Sequence, residues 1–150
     1  MNKWIETSKF KRNPIRLSSA YHCPFDKDKN MCKHYLENHI ICIIKDHPEI
    51  KTICICGSTF YKECFETASK VFELNGIVTL KPSIYSNYDK INLSSNELDI
   101  LMNVFRRKID MSDALLVLDI NKRIGIHTAT DIAYAKSIGK DIIYLNLSKE

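Results

Sequence analysis

One carboxylate stands alone in the segment Ile124 to Lys140, IGIHTATDIAYAKSIGK: Asp131, three residues after Thr128. Two chemistries fit that spacing. Thr128 at a helix N-cap, answered by an acidic side chain three positions on, is a capping box with Asp in place of Glu. A carboxylate in the first turn of a helix is also kept ionised by the helix dipole. In that state it can attack an electrophilic carbon or stabilise a sugar cation. The residues alone leave both readings open.

Other polar groups fall where they could serve the same site. Gly57-Ser58-Thr59 ends an apolar run and opens a helix, so the backbone is approachable and the helix start offers N–H groups to a phosphate or hydroxyl. The same tripeptide is equally a glycine turn with a Ser/Thr cap, since no G-x-G-x-x-G or G-K-[ST] is present. Asp110 and Asp119 stand before and after the run ALLVL and are candidates to hold polar groups of a ligand; Asp110 and Asp113 also suit a helix end, and Asp119 a loop cap. Gly125, in the loop before the last helix, completes the substrate-binding set with Thr128. Arg106 and Arg107 read as solvent-facing or inter-subunit rather than catalytic.

These residues need a scaffold, and the hydropathy pattern supplies one from Lys51 onward. TICIC is a strand buried on both faces. Phe60, Cys64, Phe65, Ala68, Val71 and Phe72 recur at helical spacing, stopped by Asn75-Gly76. IVTL is a second strand ended by Pro82. The long stretch PSIYSNYDKINLSS that follows is a candidate lid or binding loop. Ser94 and Glu97 have capping-box spacing before a helix whose stripe is Leu98, Leu101, Met102, Phe105 and Ile109. ALLVLD, a helix from about Thr128 to Ile138 and DIIYL complete the alternation. Right-handed crossovers make this an α/β, Rossmann-like open parallel sheet with helices on both faces. Its ligand crevice lies outside the carboxyl ends of the strands, where Gly57–Thr59, the 82–95 loop and Asp119–Asp131 converge. Residues 1–50 are a separate N-terminal part, a basic tail and a helical extension from about Asn30 to Lys45 closed by DHPE, and residues 51–150 are the α/β domain.

Within that domain ICICGSTF, FRRKIDMSDALLVLD and IGIHTATDIAYAKSIGKDIIYL resemble the nucleoside 2-deoxyribosyltransferase-like superfamily. The likeness covers roughly residues 51–147 and is nearest to short bacterial members with Gly-Ser-Thr-Arg-Phe early and Arg-Lys-Ile-Asp-Met-Ser-Asp before the third strand. It implies a flavodoxin-like strand order 2-1-3-4 and a homo-oligomer, with the helix containing Phe105 and Arg106 as one possible contact. In the superfamily's late Thr-x-x-Glu-Ile-x-Tyr-Ala segment the glutamate attacks the anomeric carbon of a (deoxy)ribosyl group. That slot holds Asp131 here, with Thr128, Ile132, Tyr134 and Ala135 in register. Two departures stand out. Asp withdraws the carboxylate by roughly 1–1.5 Å where reacting atoms must approach within about 3–3.5 Å, and Phe60 replaces the arginine. The resemblance implies N-glycosidic cleavage or transfer on a nucleoside or nucleoside 5′-monophosphate, by a hydrolase or a deoxyribosyltransferase with no cofactor. The alternative is a non-catalytic nucleotide-binding or sensor module.

Composition bounds these readings. The chain has 150 residues, 45% hydrophobic and 27% charged, as in a soluble globular protein. Lys3, Lys9, Lys11, Arg12 and Arg16 against Glu6 account for the whole net charge of +4. Residues 21–150 are therefore neutral overall, which argues against a dedicated nucleic-acid reader. Without a signal-like segment or a membrane span the expected location is cytoplasmic. The six cysteines then read as reduced thiols. Cys23, Cys32, His34 and His39 are of zinc-ligand type, but eight residues separate the cysteines. In a helix, His34 and His39 would stand about 140° apart, so no metal is expected.

Overall fold

The computed structural model describes residues 29–120 and 124–147. The basic tail and Cys23 lie outside them, as do the side chains of Cys32 and His34, on which the metal expectation rests.

Four strands, β1 (Thr52–Gly57), β2 (Val78–Leu80), β3 (Ala114–Ile120) and β4 (Asp141–Leu147), form one sheet in the order β2-β1-β3-β4. Every pairing is parallel, with Cys54 opposite Leu80 and Leu115, and Leu115 opposite Ile142. This is the expected α/β open sheet. Because side chains alternate along a strand, β1 sends Ile53 and Ile55 to one face and Cys54 and Cys56 to the other. Each face is covered by helices, as an all-parallel sheet requires.

On the Ile53 face lie α1 (Lys29–Asp46) and α2 (Lys62–Leu74). Leu36, Ile40 and Ile43 of α1 join Phe65, Ala68 and Phe72 of α2 in one continuous core with β1, β3 and β4. The N-terminal helix thus shares the sheet's core. His39 is buried in it beside Tyr35, ring centroids 4.2 Å apart. On the Cys54 face lie α4 (Ser95–Asp110) and α5 (Ile126–Ser137), contributing Phe105, Ile109, Ile132 and Ala135. A short helix, α3 (Ser86–Asp89), sits in the long loop after β2.

Local chemistry explains the boundaries. α2 stops at Gly76 (φ 85°) and α5 at Gly139 (φ 79°), left-handed positions that glycine adopts without strain. Ser94 and Glu97 form the expected reciprocal capping box at the start of α4. At the amino end of the sheet, Asp113 accepts hydrogen bonds from the backbone N–H groups of Lys51 (2.8 Å) and Thr52 (3.0 Å). These two bonds hold its carboxyl below the usual range and tie the start of β3 to the start of β1. Among the described residues no helix is long and apolar enough to cross a membrane.

Candidate functional site

A cavity of about 370 Å³ opens at the carboxyl ends of the strands, the size of a pocket for a small organic ligand. Its floor is the end of β1 and the following turn, Cys56 to Thr59. The loop after β2 forms one side through Pro82, Ser83, Ile84, Ser86, Ile91 and Leu93. A second side is α4, with Leu98, Leu101, Met102, Val104, Phe105 and Lys108. The amino end of α5 closes it with Gly125, Ile126, His127, Thr128 and Asp131.

Gly57 is where the backbone must be bare. Its φ is 153°, and a Cβ there would lie 2.9 Å from the carbonyl oxygen of Leu118 on β3. After it Ser58 caps a 3-10 turn, Thr59–Tyr61, its hydroxyl accepting from the N–H of Phe60 at 3.3 Å. The turn, rather than α2 itself, is therefore what the cavity meets. Phe60 is 46% exposed and off the cavity wall.

The structure revises the α5 start. The helix begins at Ile126 with Gly125 as N-cap and no side-chain cap bond. Thr128 is its third residue, 4% exposed, and does not cap it. Asp131 is the sixth, in the second turn, beyond the reach of the terminal dipole. Burial instead pushes its carboxyl up to about 7, opposed by the positive charge of Arg106. Among the described residues no hydrogen bond or ion pair holds it. Asp131 is the one carboxylate on the described cavity wall. Near neutral pH it exchanges readily between acid and base.

Gly57, Ser58, Thr59, Gly125, Thr128 and Asp131 therefore meet around one cavity. Asp110 and Asp119 do not line it. Asp110 ends α4, accepts the Tyr134 hydroxyl at 2.6 Å, and takes Lys140 Nζ on its carbonyl at 3.2 Å, at the amino end of the sheet. Asp119 is part-buried near the end of β3, opposite Asn146. On α4, the helix offered for self-association, Phe105 is turned inward and Arg106 lies 5.3 Å over the Tyr134 ring.

Two contributions escaped the sequence. The α4 stripe at Leu98, Leu101 and Met102 lines the cavity rather than the core, and Lys108 joins it. An apolar stripe looks the same whether it meets a sheet or a ligand, and a lysine among RRK carries no distinguishing signal. The loop helix α3 is held down by Lys62, which pairs with Asp89 at 3.5 Å and lies 5.7 Å from the Tyr85 ring. Tyr85 in turn packs on Phe65. Burial pushes the Cys56 thiol far up, so it is an inert wall rather than a nucleophile. Among the described residues no three His, Cys, Asp or Glu side chains are grouped to hold a metal. Comparison of the chain with protein-family models, curated proteins and solved structures finds no match.

Proposed function

We propose that the cavity binds a nucleoside or nucleoside 5′-monophosphate and that the protein cleaves or transfers its N-glycosidic bond, with Asp131 as nucleophile. The observation that carries this reading is the lone carboxylate, Asp131, sharing one cavity with the Gly57–Thr59 turn. The resemblance to the nucleoside 2-deoxyribosyltransferase-like superfamily supplies the chemistry. An Asp131 oxygen bonds to C1′ as the C1′–N bond breaks. The base leaves with that electron pair and takes a proton from water, and water or a second base, giving up a proton to solvent, then displaces the carboxylate from C1′. A desolvated carboxylate suits attack, because no hydrogen bond must be broken first. No metal or cofactor is required by this scheme, and self-association belongs to the same reading.

Chromatographic detection of free base from a panel of deoxynucleosides and their 5′-monophosphates tests it. Release that disappears in Asp131→Ala supports the reading, and release unchanged in that variant removes Asp131 from the role. A nucleotide-binding module without turnover is the second reading. It is favoured by the shorter Asp side chain and by Phe60 standing away from the cavity. Thermal shifts by the same ligands with no base released would select it.

A further inference from the structure

We infer that Lys108 is a ligand-binding residue whose ammonium reads an acceptor oxygen on the bound molecule. The inference rests on reading the cavity as a nucleoside or nucleotide site. Lys108 is the one lysine or arginine on the described cavity wall, and its neighbours there on α4 are apolar. Its Nζ donates to the Lys81 carbonyl at 2.7 Å and to the Ser83 hydroxyl at 2.9 Å. An ammonium has three N–H donors. Two are taken, and among the described residues no carboxylate lies within ion-pair distance. A charge taken partly out of water with a donor left over favours an incoming acceptor.

The two tethers also aim the group. They fix Nζ between α4 and the loop that forms the facing wall, so the ammonium is positioned before ligand arrives and little side-chain freedom is lost on binding. Lys108 on α4 and Asp131 on α5 are the one ammonium and the one carboxylate on the described cavity wall, so the cavity carries groups of opposite charge on two of its sides. If Asp131 faces C1′, the oxygen that Lys108 meets belongs either to a keto group of the base or to a 5′-phosphate. A charged donor prefers both to an amino group.

Matched ligands separate these sources. Binding of deoxyinosine, deoxyadenosine and their 5′-monophosphates is measured by calorimetry, or as KM where base is released, for the wild type, Lys108→Met and Ser83→Ala. Deoxyinosine has a keto oxygen at C6 and a hydrogen on N1, where deoxyadenosine has an amino group and a bare N1. We expect the wild type to favour one acceptor-bearing partner by about ten- to hundredfold, the range for a hydrogen bond to a charged group. Lys108→Met erases that preference. Loss of the keto preference identifies the base, and loss of the phosphate preference identifies the phosphate. Ser83→Ala removes one of the two tethers but keeps the ammonium, so the preference shrinks yet keeps its direction, unlike in Lys108→Met. Equal weakening of all ligands by Lys108→Met would reduce Lys108 to a loop tether and overturn the inference. A wild type without either preference would do the same. A Lys108-dependent preference without base release leaves the inference standing and removes the enzymatic reading; base release with preferences unchanged in Lys108→Met does the reverse. Failure of the wild type to bind any of the four overturns both.

Discussion

Replacing Asp131 by asparagine should make the protein more stable, and only where the aspartate would be charged. Burial moves the Asp131 carboxyl from an ordinary 3.8 to about 7. In the unfolded chain it ionises near 3.8, so between that value and about 7 the folded form holds the proton more tightly. Folding stability therefore falls as pH rises through this window, and the loss is complete above about 7. A gap of about three pH units at 1.36 kcal/mol each is about 4 kcal/mol. Solvent reaches the carboxyl through the cavity mouth, and screening reduces the figure to about 2 kcal/mol. For a domain of this size that is roughly 4–8 °C in Tm. Asparagine has nearly the shape of the protonated acid and no charge to desolvate. Thermal unfolding of wild type and Asp131→Asn at half-unit steps from pH 4.5 to 8.5 reads the effect. The Tm difference should be small at the acid end, grow with pH and level off above about 7. A difference independent of pH, or a variant less stable than wild type at pH 8, would refute the argument that Asp131 is a desolvated, unpaired charge.

The same ionisation should govern turnover: kcat/KM for base release rises about tenfold per pH unit up to about 7 and then levels, because only the carboxylate attacks. A fall across pH 6–8 would instead make Asp131 a proton donor. Arg106→Gln removes the opposing positive charge and should move the midpoint upward; an unmoved midpoint would detach Arg106 from the site. His39, held from 6.5 down to about 4 by burial, binds protons more readily when unfolded. Its contribution is complete above pH 6.5 and is lost on acidification toward pH 4, about 3 kcal/mol at most. His39→Gln should flatten this part of the denaturant-midpoint profile, and an unchanged slope would contradict it. Gly57→Ala places a Cβ against the Leu118 carbonyl and should cost about 1–3 kcal/mol in urea unfolding while weakening ligand binding; a neutral outcome would mean that β1 and β3 separate easily there.

Periodicity made the scaffold readable. Alternating apolar runs and helical stripes mark all four strands, the capping pair Ser94 and Glu97 marks the start of α4, and Gly76 and Gly139 mark two helix ends. The α5 start was less legible, because Gly125 caps without a side chain and Thr128 offers a more familiar signal. That displacement of the cap by three residues reversed the electrostatics of Asp131, from a charge held by a dipole to one disfavoured by burial. The site was legible as a place, since loop convergence follows from topology, but only in part as a set of residues. Asp110 turned away because the Tyr134 hydroxyl engages its carboxylate, and Lys108 turned in because Lys81 and Ser83 hold it there. Side-chain direction at a helix end depends on such tertiary partners, which no local pattern encodes.

The Asp113 bonds to Lys51 and Thr52 lie at the opposite end of β1 from Gly57. Six strand residues span roughly 20 Å. One end of the sheet is locked while the other is open to variation. Changes in the loop helix or the α4 stripe can reshape what the cavity accepts without touching the fastening that sets strand register, and at this separation their free-energy effects should add. A library varied at Ile84, Ile91, Leu98 and Met102, with Asp113 kept, would therefore explore new ligands on a scaffold that still folds.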